Sequence, residues 1–193
     1  MIVFAFPPQA AQENAPYYLS GTDYDTKTAA GTLVVVPPGC TPPEGTDAPV
    51  FCMDERDAGT LVSEQAAAQQ PDAAVWISSR ISGGTLCARL LQALEQYGTR
   101  LWLRVEPLCM RFPMPCPTGE GETVPPEESA RIQKDFPAFF SPELCCMYCA
   151  GISGENAAMH LFDTPQTISK KLQLANELGA AYVFGDIPLE AIQ

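Results

Sequence analysis

Three of the chain's eight cysteines fall within five positions, Cys145, Cys146 and Cys149, inside the stretch Glu-Leu-Cys-Cys-Met-Tyr-Cys-Ala-Gly at 143 to 151. Clustered thiols can ligate a metal as thiolates, supply one activated nucleophile, or fill a core as small hydrophobes. The Cys-x-x-Cys of Cys146 and Cys149 has no second pair at matching spacing among Cys40, Cys52, Cys87, Cys109 and Cys116 to complete a four-thiolate site. A metal would need Cys109, Cys116 or the single histidine, His160, as further ligands. It would also need a strand end or a bulge between Cys146 and Cys149, because strand residues three apart face opposite sides. A reactive Cys149 would need a cation such as Arg104 to lower its pKa. Burial in a central strand requires nothing further, and no cofactor is assigned.

The other groups able to do chemistry are carboxylates that follow short apolar runs: Asp54 and Glu55, Glu106 beyond Arg104, Asp163, and Asp186. Two carboxyl groups held close, one kept protonated, suffice for general acid and base work. The arrangement read from the sequence has Glu106 as acid with Glu55 or Asp186 as partner, and Asp54, Arg104 and Asp163 as substrate contacts. With 23 Asp and Glu in the chain, the competing reading is a solvated acidic rim.

Whether these groups meet depends on the elements that carry them. Apolar runs at 1 to 6, 32 to 36, 49 to 53, 73 to 78, 100 to 106, 144 to 149 and 181 to 184, with a weaker one at 159 to 162, read as strands. Most are continuously apolar, the pattern of a parallel sheet covered on both faces. The spacing predicts helices near 57 to 70, over 84 to 97 with Gly98 behind it, near 126 to 136, and over 165 to 178. In the last, Thr164 is the N-cap, Pro165 the first helical residue and Gly179 the stop. Alternation from about residue 49 onward argues for β-α-β crossovers, which would put the strand-end carboxylates on one rim. The first 48 residues carry less helix. Since a full eight-unit barrel takes about 200 to 250 residues, the 193 residues imply a small or trimmed TIM-like (β/α) barrel as one domain with a mainly parallel sheet, or an open doubly wound sheet. Trp76 and Trp102 read as core. Ser82-Gly83-Gly84-Thr85 reads as a turn before a helix, and the segment from Pro107 to Pro126, with Met110, Phe112 and Met114, as a long loop lining a pocket or a partner surface.

The formal charge of −12, with eleven Lys and Arg, opposes a nucleic-acid partner or an anionic membrane. Met-Ile-Val-Phe-Ala-Phe-Pro-Pro has no basic flank and six apolar residues before its prolines, short of a signal segment or a span. The expectation is a cytoplasmic protein.

The segment Met-His-Leu-Phe-Asp-Thr-Pro-Gln-Thr-Ile-Ser-Lys-Lys-Leu-Gln-Leu-Ala-Asn-Glu-Leu-Gly-Ala-Ala-Tyr-Val-Phe-Gly-Asp (159 to 186) resembles the last helix and strand of chitinase-like glycoside hydrolases, including spore-wall members. Cys146-Met147-Tyr148-Cys149 is similar to that family's sixth-strand Met-x-Tyr-Asp. The resemblance implies a barrel, a glycan ligand, and Tyr148 as a substrate contact. It also exposes departures. The family's Asp-x-Asp-x-Glu, whose Glu is the general acid, is missing; Phe51-Cys-Met-Asp-Glu55 keeps a final Glu and Asp72-Ala-Ala-Val-Trp-Ile-Ser-Ser79 ends in a hydroxyl. Cys149 stands in place of the sixth-strand Asp, and Gly185 where a Trp usually follows the last apolar run. The resemblance therefore implies a catalytically degenerate glycoside-hydrolase-like protein binding a glycan or a protein. An active glycosidase with another carboxylate pair, or a cysteine-based metal-binding protein, are the alternatives.

Overall fold

The computed structural model describes residues 3–5, 33–36, 50–52, 61–153, 156–185 and 187. Strands β4 (Leu61–Ser63), β5 (Ala74–Ser78), β6 (Leu101–Val105) and β12 (Tyr182–Gly185) form one sheet in the order β12-β6-β5-β4. Every pairing in it is parallel. The strand β4 replaces the helix that the alanines near 57 to 70 suggest. Leu61 and Val62 are buried on opposite faces of the sheet, and that double burial outweighs the helix propensity of their neighbours. A single 3-10 turn, Ala67–Gln69, follows.

Helix α1 (Leu86–Tyr97) carries the chain from β5 to β6. The Thr85 hydroxyl caps it by accepting from the Ala88 N–H at 3.0 Å, and Gly98 ends it at φ 56°. Its buried stripe is Leu86, Leu90, Ala93 and Tyr97, while Leu91 is 50% exposed. Helix α3 (Pro165–Leu178) has the bounds its caps predict, with a reciprocal box between Thr164 and Thr167 and a left-handed Gly179. Its Ile168, Leu172 and Ala175 join Leu90 and Ala93 of α1 over Val75, Ile77, Leu101, Leu103, Val105 and Val183. One face of the parallel sheet is thus the helix-covered core.

The alternation breaks after β6. Instead of entering a helix, the chain builds an antiparallel sheet from β7 (Cys109–Met114), β8 (Glu122–Thr123), β9 (Phe139–Ser141), β10 (Cys146–Ser153) and β11 (Asn156–Phe162), ordered β8-β7-β11-β10-β9. Helix α2 (Pro126–Asp135) packs on one face, where Ile132 meets Cys149 and Phe162. Only then does α3 lead back to β12. The sheet content is therefore not mainly parallel: a parallel and an antiparallel sheet stand side by side in the sequence. The runs at 144 to 149 and 159 to 162 lie too close for parallel neighbours, which need a crossover of about a dozen residues; they pair antiparallel, from Met147↔Phe162 to Ser153↔Asn156. The presumed loop at 107 to 126 contains β7 and β8, with Phe112 buried and Met114 exposed.

A third sheet holds β1 (Val3–Ala5), β2 (Leu33–Val36) and β3 (Val50–Cys52), with β1 antiparallel and β3 parallel to β2. Its β1 lies against β12. Val35 packs with Leu61, Trp102 and Phe184 over the face of the parallel sheet that the helices leave free.

Candidate functional site

Side chains alternate across β5 and β6, so the face away from the helices presents Trp76 and Ser78 from one strand and Trp102, Arg104 and then Glu106 from its neighbour. Ser78 and Arg104 are direct partners in the parallel register. The Ser78 hydroxyl donates to Glu106 Oε2 at 2.5 Å and accepts from the Arg80 backbone N–H at 3.0 Å. Arg104 Nη2 lies 3.4 Å from Glu106 Oε1, with the two side chains 35% and 25% exposed. The Arg104 guanidinium sits over the Trp76 ring, 5.0 Å from its centroid. Ser79, fully buried, ties the strand ends together: its N–H donates to the Arg104 carbonyl at 2.9 Å, and its hydroxyl accepts from the Glu106 N–H at 3.1 Å. Arg80 closes the row, Nη2 donating to the Pro107 carbonyl at 3.1 Å.

Two residues assigned from the sequence, Arg104 and Glu106, therefore lie two positions apart at the C-terminal end of one strand, β6, beside the end of its parallel neighbour β5. Ser78 and Arg80 complete the row; the sequence signal was their position at the end of an apolar run, but two hydroxyls and a guanidinium there lack the spacing of any motif. Trp102 is core, while Trp76 is half-buried and doubles as the platform under Arg104. Glu55 and Asp186, the expected partners of Glu106, and Asp54, expected as a substrate contact, lie outside the described residues.

Asp163 does not belong to this row. Its carboxylate is 1% exposed and receives three donors: the Leu108 N–H at 2.7 Å and Lys171 Nζ at 2.6 Å on Oδ2, and the Thr167 hydroxyl at 2.8 Å on Oδ1. Nothing of it is left for a substrate. The reason is topological: Asp163 follows β11 beside Leu108, which opens the path into β7, and about two helical turns past the N-cap of α3 deliver the lysine.

Tyr148 also changes place. It stands in β10 with its ring 5.8 Å from Phe139, so Cys146-Met147-Tyr148-Cys149 is a segment of the antiparallel sheet and cannot correspond to a sixth parallel strand. The three clustered cysteines are buried. Cys146 packs with Leu108, Phe112 and Leu161, and Cys149 with Ile132 and Phe162, on opposite faces of the sheet. Burial, reinforced by the Asp163 carboxylate, pushes the Cys146 thiol up to about 12, and burial raises Cys149 as well. Arg104, in the other sheet, is on Trp76 and Glu106. These are thiols of a packed interior, where burial disfavours the thiolate. Among the described residues no group of three His, Cys, Asp or Glu is arranged to hold a metal, nor is any helix long and apolar enough to cross a membrane.

The parallel strand-helix-strand core beside an antiparallel sheet is similar in fold to solved structures of three glycoside-hydrolase-like proteins. The spore cortex-lytic enzyme SleL of Bacillus cereus is 12% identical with a TM-score of 0.52, over 69% of this chain and 40% of its own. A proposed sporulation-specific glycosylase of Bacillus subtilis is 10% identical at 0.51, over 65% and 52%. A chitinase of Chromobacterium violaceum is 10% identical at 0.50, over 67% and 50%. At these identities the likeness is one of fold, and the matched chain spans about half or less of each structure. No family model and no curated protein matches the sequence.

Proposed function

We propose that this chain binds a glycan at the row formed by Trp76, Ser78, Arg80, Arg104 and Glu106 and does not hydrolyse it. The observation that carries this reading is the state of Glu106. Its Oε2 accepts from the Ser78 hydroxyl and its Oε1 lies 3.4 Å from the Arg104 guanidinium, an environment that favours the carboxylate, whereas a general acid must present a proton to the leaving oxygen. A half-buried aromatic ring beside a few fixed polar groups is the composition of a carbohydrate or small-ligand site. The fold shared with a chitinase and cortex-lytic enzymes supports a saccharide as the ligand.

The test is calorimetric titration with chitotetraose and with solubilised spore cortex, run beside an assay for new reducing ends. Binding without reducing-end release is the expected result. Release that disappears in Glu106→Gln would return the chain to the active glycosidases, and no binding to either saccharide would remove the glycan reading.

A further inference from the structure

Building on the glycan reading, we propose that the saccharide held at this row is anionic, carrying a carboxylate that lies between Arg80 and Arg104. The chain has eleven cationic side chains against 23 acidic ones, yet two of the eleven occupy the ends of the adjacent strands β5 and β6. Ser78, the register partner of Arg104, receives the Arg80 backbone N–H and donates to Glu106, so one hydroxyl ties the Arg80 backbone to the carboxylate that faces Arg104. Each guanidinium offers five N–H donors. Arg80 commits one nitrogen, to the Pro107 carbonyl, and Arg104 makes a single 3.4 Å ion pair. Among the described residues, most of both forks is uncommitted at a part-exposed rim.

Among the described residues the row holds two arginines against one carboxylate, Glu106. Its oxygens are occupied by Ser78 and Arg104, so it orients Arg104 without neutralising both arginines. The Trp76 ring beneath Arg104 holds the guanidinium from the other side. A planar fork already held in place loses little entropy on binding and matches the two oxygens of a carboxylate. Neutral hydroxyls would repay the desolvation of two guanidiniums less well.

The experiment compares three probes by calorimetry: tetragalacturonate, its fully methyl-esterified form, and neutral chitotetraose. The acid is expected to bind about tenfold or more tighter than the ester at low salt, with the preference shrinking as salt rises from about 0.02 to about 0.3 M. Arg80→Met and Arg104→Met should each remove most of the preference, Arg104→Lys should not restore it, and Glu106→Gln should tighten binding of the acid. The exposed Arg80 makes its variant the safer readout of the two, since it supports no core contact. Equal binding of acid and ester, with chitotetraose also bound, overturns this inference and leaves the glycan reading standing. If none of the three binds, both fall.

Discussion

The backbone of Gly185 has φ 124°, and a Cβ built there would collide with the carbonyl oxygen of Val105, its register partner in β6. Neither the strain nor the collision can relax without separating β12 from β6 next to Glu106. Gly185→Ala should therefore cost about 2–3 kcal/mol, read as a lower urea midpoint with an unchanged slope; a loss under about 0.5 kcal/mol would mean the strand ends are loose. At this scale legibility followed the local pattern. Glu106 and Arg104 were readable because an apolar run with a polar end announces a strand terminus. Asp163 was misread because its real partner, Lys171, is eight residues away across a turn and a helix cap, and no period links them.

Between elements, the sensitive contact is that of α2 with the antiparallel sheet. His160 in β11 faces Arg111 of β7 and Glu128 of α2, and its Nδ1 is buried without a hydrogen-bond partner among the described residues. Burial first, and the Arg111 charge second, hold its pKa below the ordinary 6.5, with Glu128 opposing them. The unfolded chain therefore takes up this proton before the folded one does. Stability present above pH 6.5 should be lost progressively as pH falls toward and through the lowered value. Because carboxylates titrate mainly lower and His160 is the one histidine, the melting temperature should drop between about pH 7.5 and 5.5, and His160→Gln should flatten that slope. A wild-type profile as flat as the variant's would contradict the placement of His160 under α2. Helices α1 and α3 were legible to within two residues from their caps, whereas β4, β7, β8 and β9 were not. They are two to six residues long, and segments so short owe their conformation to the strands beside them.

For the whole molecule, the question is how a parallel and an antiparallel sheet are kept in one arrangement. The buried pair of Asp163 and Lys171 is a charged contact between them: it joins the end of β11, the approach to β7 and the middle of α3. Removing either partner leaves an uncompensated charge in the interior and should cost about 3–5 kcal/mol. Asp163→Leu combined with Lys171→Met should lose less than the sum of the single changes, a coupling of about 1 kcal/mol or more by denaturant titration. Strict additivity would show that the two charges do not sense each other. Sequence reasoning reached the α/β class and the likeness to chitinase-like enzymes, since the closing helix and strand, 165 to 185, are continuous in the chain. It could not see that the segment before them folds as a separate antiparallel layer, because that layer is assembled from pairings between strands whose individual patterns look alike.

Leu108 and Asp163 are 55 positions apart, yet the Asp163 N–H donates to the Leu108 carbonyl at 2.8 Å while its carboxylate accepts from the Leu108 N–H. Five strands and a helix are thus entered and left through a single doorway. A layer attached in that way can be lengthened, shortened or exchanged over evolutionary time without re-threading the crossover from β6 to β12, and a designer could transplant it by joining two adjacent ends.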